Sequence, residues 1–451
     1  MRKKLTLIET LFVASTLFGM FFGAGNLIFP VHLGQVAGNN VILAIVGFCI
    51  TAVTVPILGV IAIGCTNSKN VYELSSKVSK GFGLVFTCLL YLTVGPFFAI
   101  PRCATTSFSA GIAPLFSLNN NIIPQLIFTF IFFLIVLIIA LRPHEILKWV
   151  GKIINPLFLS FYLLLVVIAL INPSTSMFSV EPAIDPISQV DYHTAAFSGS
   201  FIEGYNTMDA LAGLCFGIVI VDVIRGLGVK EDKDVSKNML LSGIITSVLL
   251  VIIYALSIIM GSQSRGLFPI SENGGIALSQ IANHYLGLPG NIILAIILLL
   301  ACLKTAISLV TSCGEMFCYL FPKGFKYKTV IYILCIFSFA ISNIGLTNII
   351  EYSIPILKLL YPLSFVLIIL GIAEKNFEKS SIIYKTVIAF TFLPAFFDFL
   401  KALPFGIDLS FINDAIPFFN TGFGWLLPSI IGFLVGLGIK ITYKLSSEED
   451  I

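Results

Sequence analysis

The first long apolar run of the chain, residues 5–36, is broken near its middle by Phe21-Phe22-Gly23-Ala24-Gly25-Asn26. This break constrains the fold more than any other feature. In hydrocarbon, backbone that leaves the helical ladder finds no water, so it survives at membrane depth only where it is buried in protein or lines a cavity. The two glycines let a ligand approach the main chain, and the asparagine supplies a donor and an acceptor that a lipid-facing helix would not carry. The break predicts half of a binding site.

That the run lies in hydrocarbon follows from composition. Of 451 residues, 57% are hydrophobic and 11% charged, with mean hydropathy +1.02, against about 25% charged in an average soluble domain. A helix needs roughly 20 apolar residues to cross about 30 Å of hydrocarbon. Twelve such segments fall at 5–36, 40–64, 82–112, 122–141, 150–171, 194–224, 238–261, 290–320, 329–347, 350–373, 382–404 and 420–441. Cytoplasmic loops collect Lys and Arg, and with the N-terminus inside, 21 of the 26 such residues fall in inside segments. Outside lie Arg265 and Lys401, and within spans Arg102, Lys304 and Lys358. A wrong span count would scramble this alternation, so the expectation is an all-α, multi-pass protein of twelve helices with both termini cytoplasmic.

Other classes find little support. Met1-Arg2-Lys3-Lys4 before an apolar run imitates a signal peptide, but no small-residue cleavage motif follows. The nine cysteines lie mostly inside spans without metal-type spacing, so they read as packing residues, and no metal or cofactor is expected. His144-Glu145, next to Arg142, Lys148 and Lys152, lacks the second histidine of a metalloprotease motif and reads as a solvated cytoplasmic cluster. The four histidines, at 32, 144, 193 and 284, fall at interfaces or loops. No acid–base cluster at one depth argues for an enzyme, and no repeated filter motif argues for a channel. The external segment 172–192, rich in Pro and Ser, reads as a surface cap, and Asp398, Lys401, Asp408 and Asp414 as a solvated rim.

A second break mirrors the first. The sixth span reads Ser198-Gly199-Ser200-Phe201-Ile202-Glu203-Gly204-Tyr205-Asn206-Thr207-Met208-Asp209, placing two carboxylates and several poor helix formers at mid-span. The first span runs outward and the sixth inward, so the two breaks occupy corresponding positions of oppositely oriented five-helix halves. That pattern predicts an inverted-repeat secondary transporter with its site at the midplane. The whole chain, 1–451, is then one transporter domain with repeats at 1–171 and 194–373 and two further helices at 382–441.

Four stretches carry a family resemblance: Phe21-Phe-Gly-Ala-Gly-Asn26-Leu-Ile-Phe-Pro30 with Leu33-Gly34-Gln35 and Gly38; Gly95-Pro-Phe-Phe-Ala-Ile-Pro-Arg102; Gly204-Tyr205 with Thr207-Met-Asp-Ala210; and Ala301-Cys-Leu with Thr305-Ala. Over essentially its whole length the chain resembles the bacterial branched-chain amino acid:cation symporters. The resemblance implies the leucine-transporter-like fold, residence in the bacterial cytoplasmic membrane, and import of leucine, isoleucine and valine, usually coupled to sodium. The partners it implies are that small-molecule substrate and the bilayer, with no nucleic acid.

A zwitterionic amino acid needs donors for its carboxylate, acceptors for its ammonium and an apolar pocket. The outer half of the first helix, at Gly23, Ala24, Gly25, Asn26 and Leu27, offers N–H groups and a positive dipole end. Unwound carbonyls near Phe21, Phe201, Glu203 and Gly204 can accept from the ammonium. Phe97 or Phe98, Phe201, Tyr205 and Met208 are candidates for the side-chain pocket. Arg102, Glu203 and Asp209 are buried charges suited either to gating and coupling or to a structural ion pair. Lys358, with Glu351 above it, is expected to snorkel or pair locally. Carried over by position, the fold's sodium cage would comprise the carbonyls of Gly19, Phe22 and Ala301 with the side chains at 304 and 305. Thr305 fits, but position 304 is lysine where the family pattern favours a hydroxyl. Its ammonium could replace sodium or, by losing its proton, couple transport to protons; the alternative is that Lys304 points elsewhere and the sodium site survives.

Overall fold

The computed structural model describes residues 4–66, 68–116, 118, 122–141, 155–324, 326–377, 380–403 and 410–449. The cluster Arg142, His144, Glu145, Lys148 and Lys152, and Asp408, lie outside the described residues, as does the side chain of Asp414. Among the described residues the architecture is helical, with one isolated bridge between Ile184 and Asp191.

The helices are α1 Leu7–Phe21, α2 Ala24–Ala37, α3 Val41–Cys49, α4 Val55–Cys65, α5 Lys80–Leu92, α6 Ala99–Thr106, α7 Ile122–Ala140, α8 Asn155–Ile171, α9 Ala196–Glu203, α10 Asp209–Gly226, α11 Asp232–Ser264, α12 Gly274–Leu320, α13 Tyr327–Ser342, α14 Leu346–Ala373, α15 Ser381–Lys401 and α16 Leu426–Glu449, with short turns between them. Grouped across their breaks they form the twelve expected spans: α1 with α2, α3 with α4, α5 with α6, and α9 with α10 each make one. Gly287 (φ 60°) and Pro289 separate an outer helical arm of α12 from its membrane span, which starts where hydropathy placed it.

Local chemistry explains the ends. Thr6 and Glu9 form a capping box that starts α1, the Glu9 N–H donating to the Thr6 hydroxyl and the Thr6 N–H to the Glu9 carboxylate. After Phe21 the chain turns extended through Phe22 and Gly23 before α2 begins. In the sixth span α9 ends at Glu203, a 3-10 turn runs Gly204–Thr207, and Met208 takes a left-handed conformation (φ 61°) before Asp209 opens α10. A non-glycine residue held there is strained and needs its surroundings to hold it. The third span, drawn as continuous, is also broken: Gly95 leaves helical geometry beside Pro96, which lacks an N–H to donate.

Burial follows the broken helices. Every residue of α2 is buried, packed along α11 and α12, while α10 packs on α4 and α9 on α3. Helices such as α7 expose large apolar side chains, among them Ile127, Phe130, Ile131 and Leu134, to the lipid. Helices α15 and α16 pack on each other, and α15 on α14. The segment 172–192 is more than a surface cap. The Ala183 N–H donates to the Val36 carbonyl (2.9 Å) and the Val180 carbonyl accepts from Asn39 (2.8 Å), so it is tied to the outer end of α2. Asp398 is buried, not part of a solvated rim, on the helix that packs against α14.

The crossing of α2 and α11 is close. A Cβ on Gly34 would lie 2.8 Å from the Ser262 nitrogen and closer still to the Ile258 carbonyl oxygen. Backbone cannot give way as a flexible side chain does. Gly34→Leu is therefore expected to cost about 3 kcal/mol or more, read as a lowered melting temperature of the detergent-solubilised protein. Gly81→Leu, where nothing lies within 4 Å, should melt like the wild type.

Candidate functional site

The two breaks meet, and Asn26 joins them. It sits in the first turn of α2, where its side-chain oxygen accepts from the Gly23 N–H (2.9 Å), closing the chain reversal of the break. Its amide nitrogen donates to the Asp209 carboxylate and contacts the Tyr254 hydroxyl. Tyr254, from α11, also donates to the same Asp209 oxygen (3.4 Å). A buried carboxylate is costly unless hydrogen-bonded, and Asp209 receives donors from both an amide and a phenol.

Arg102 closes one side of this junction. It is buried, donates to the Asn206 carbonyl (2.6 Å) and more weakly to the Thr207 carbonyl (3.5 Å), and lies 5.0 Å over the Phe29 ring. A Cβ on Gly25 would come within 3.1 Å of this guanidinium, so the glycine makes room for it. Arg102 thus straps α6, α2 and the unwound sixth span together. The Glu203 carboxylate instead accepts from the Asn206 amide (2.9 Å), so Arg102 is held by main-chain carbonyls.

Below the strap lies a cavity of about 30 Å³, room for a water molecule and too small for an amino acid side chain. Phe21, Gly23, Ala24, Gly25, Asn26, Met208 and Asp209 line it from the breaks, with Arg102 above and Thr305 across. Met20, Val94, Phe216 and Leu309 make its wall largely apolar. The first-turn N–H groups of α2 have no intrahelical acceptors, and such groups favour an anion; the Asp209 carboxylate lines the same cavity. The arrangement can hold a small zwitterion with an apolar tail once the flexible Met20 and Met208 side chains yield.

Several expected residues lie elsewhere. Phe201, Glu203, Gly204 and Tyr205 are carried outward by the 3-10 turn. The Phe201 ring packs on Phe423 (4.8 Å) and its carbonyl accepts from the Thr51 hydroxyl (2.8 Å); Tyr205 stacks on Tyr361 (4.1 Å). Phe97 packs on Phe337, with Phe98 against it, away from the cavity. Leu27 is buried in the neighbouring core, and Phe22 turns its ring to Phe18 and Tyr254. Of the carried-over cage, Thr305 faces the break: its hydroxyl lies 2.9 Å from the Cβ position of Gly23 and donates to the Ala301 carbonyl (3.0 Å). Gly19, Ala301 and Lys304 are buried in their helices and do not line the cavity.

Tyr254, Cys103 and Phe216 escape sequence reasoning, because in a chain with 14 tyrosines, nine cysteines and 41 phenylalanines nothing local separates them from packing residues. His32, expected at an interface, is buried, facing the Ser271 carbonyl and the Asp185 carboxylate.

Comparison with known proteins gives the family and the fold. The family described as branched-chain amino acid transport protein matches residues 6–443. The branched-chain amino acid permease BrnQ of Lactobacillus delbrueckii subsp. lactis is 43% identical over 445 residues, 98% of each chain. The permease BraB of Bacillus subtilis is 38% identical, covering 97% of this chain and 96% of its own. Among solved structures, the inward-facing conformation of Mhp1 superposes with TM-score 0.60 at 14% identity, covering 96% of this chain and 91% of the other. A manganese transporter mutant of Eremococcus coleocola gives 0.59 at 14% identity, covering 97% of both. These two show a shared fold, the leucine-transporter-like one.

The network predicts a graded loss of stability. Asn26→Ala removes the acceptor of the Gly23 N–H and a donor to Asp209, and should cost about 3 kcal/mol. Tyr254→Phe removes one donor and should cost about 1 kcal/mol. Thermal unfolding in detergent should rank wild type above Tyr254→Phe above Asn26→Ala, and equal stabilities would contradict the bracing role.

Proposed function

The chain belongs to the family of branched-chain amino acid transport proteins, and from that premise we propose that it imports leucine, isoleucine and valine across the bacterial cytoplasmic membrane by alternating access. Its family is one of permeases, not enzymes, and the chain is a multi-pass membrane protein. The two inverted repeats are residues 1–171 and 194–373, with helices eleven and twelve, 382–441, outside the repeat and both termini cytoplasmic.

The observation that carries this reading is the cavity where the breaks meet, bounded by a helix N-terminus, a buried carboxylate and an apolar wall. The substrate carboxylate binds the first-turn N–H groups at Ala24 and Gly25, and its ammonium lies toward Asp209 and the Phe21 carbonyl. Its branched side chain displaces Met208 and Met20 toward Phe216 and Leu309. Arg102 acts as the outer gate: admission from outside requires the guanidinium to leave Asn206 and Phe29.

Coupling turns on Lys304 and Thr305. We place the Lys304 ammonium in the region where the fold's sodium cage would lie, between Gly19, Phe22 and Ala301. Two unit charges about 4 Å apart repel by about 4 kcal/mol even at an effective dielectric near 20, so a charged lysine there excludes sodium. Transport is then sodium-independent or proton-coupled. Ordinary sodium coupling is the second reading, favoured by the Thr305 hydroxyl facing Gly23.

Leucine uptake into proteoliposomes, with sodium and pH gradients imposed separately, tests both levels. Uptake should occur, persist when choline replaces sodium, and fall strongly in Lys304→Ala. Strong sodium stimulation unchanged in Lys304→Ala would establish the second reading. Gly25→Leu, which pushes into Arg102 and the cavity, should abolish uptake while the protein still inserts; normal uptake by that variant would remove the substrate from the breaks.

A further inference from the structure

His32 lies three residues beyond Phe29 on α2, on the outer side of the Arg102 strap, and is 4% exposed. Its Nε2 is 3.1 Å from the Ser271 carbonyl oxygen, and its Nδ1 is 3.6 Å from an Asp185 carboxylate oxygen. A carbonyl only accepts, so Nε2 carries the hydrogen. A neutral ring then turns the bare Nδ1 lone pair toward a carboxylate, whereas an imidazolium donates from both nitrogens. The other Asp185 oxygen is fixed by the N–H groups of Ile187 and Ser188, both at 2.8 Å, so the carboxylate has little freedom to turn away.

These contacts join three separate pieces of the outer face. Asp185 belongs to the segment between α8 and α9, and Ser271 to the connection between α11 and α12. One turn along α2, Gln35 accepts from the Ser271 N–H (3.1 Å) and its carbonyl accepts from Arg265 (2.8 Å). Next to Ser271, the start of α12 closes on α2 so tightly that a Cβ on Gly274 would meet the Ile28 main chain. Any outward opening that frees Arg102 must draw these pieces apart and expose His32 to water. The charged groups around the ring are Asp185 from the external segment, Glu203 from α9 on the same small cavity, and Arg265 and exposed Glu272 from the α11–α12 connection. Exposed Glu351 stands on α14, and Arg102 lies behind Asn206.

We propose that His32 is a proton-binding site of the outer seal: a proton taken up as the seal closes completes the Ser271–His32–Asp185 latch, and its release accompanies opening. A ligand that binds one state better shifts the equilibrium toward that state, so external acid favours the closed outer face. The inference rests on the alternating-access reading but not on the identity of the substrate.

The test uses Cys103, which lines the central cavity beneath Arg102. Intact cells expressing the full chain are treated with a membrane-impermeant charged methanethiosulfonate, and modification of Cys103 is quantified by mass spectrometry, with Cys103→Ser as the blank. The rate in wild type divided by the rate in His32→Gln cancels the pH dependence of thiol chemistry itself. Between about pH 8 and pH 5.5 this ratio should fall about fivefold, and the ratio of wild type to Asp185→Asn should fall similarly, so either variant suffices if the other does not insert. A ratio constant with pH overturns the proposal. So does a pH dependence that survives in His32→Gln and disappears in Glu203→Gln, which would move the proton to Glu203. No substrate is added, so a failure to transport leucine leaves this result readable.

Discussion

The contact on which the site depends is the reach of one asparagine side chain across two broken helices. Where the first span unwinds at Phe22 and Gly23, its main chain needs a partner that neither water nor lipid provides. Asn26 supplies it from within the same turn by accepting from Gly23, and its amide nitrogen remains to grip Asp209 at the start of α10. The group that repairs one break is thereby the group that registers it against the other. Tyr254 adds α11 to the same point, so the long helix packed along α2 is fixed in depth as well as in rotation.

The other interruptions cluster around this joint. The third span breaks at Gly95 and Pro96 and resumes as α6, placing Arg102 against carbonyls freed by the unwinding of the sixth span. The second span widens into a π-helical turn over Ile50–Thr54, from which the Thr51 hydroxyl satisfies the Phe201 carbonyl. In both cases a departure from regular helix leaves polar main chain that a neighbouring irregular span satisfies. Irregular backbone is therefore concentrated in one buried region, while outlying helices such as α7 stay regular and greasy.

The surroundings of the cavity are asymmetric in their chemistry. On one side of the cavity a guanidinium, an imidazole and two carboxylates are buried, three of them held by main-chain groups and Glu203 by the Asn206 side-chain amide. Such groups bind strongly when dry and are well solvated when exposed to water. The cavity wall of Val94, Phe216 and Leu309 has no such alternative in water, so it stays closed on apolar side chains.

Much of this was legible in the sequence. Hydropathy and the alternation of Lys and Arg placed twelve spans, and Gly-x-Gly-Asn and the Glu203–Asp209 stretch marked the breaks, because charge and helix-poor residues at membrane depth are costly enough to need a reason. The same marks singled out Gly23, Gly25, Asn26, Asp209 and Arg102, which the fold brings together around one cavity. Sequence could not say which aromatics face the cavity. Phe201 and Tyr205 lie within a few residues of Asp209, yet a single 3-10 turn and the left-handed Met208 rotate them outward. Nor could it pair His32 with Asp185, more than a hundred residues apart, or choose Thr305 over Lys304 as the residue facing Gly23. The sequence by itself determined what must be buried, since the cost of polar groups in lipid is local to each segment. Which buried groups touch was decided by tertiary structure alone, since that depends on the rotation and depth of helices packed against distant partners.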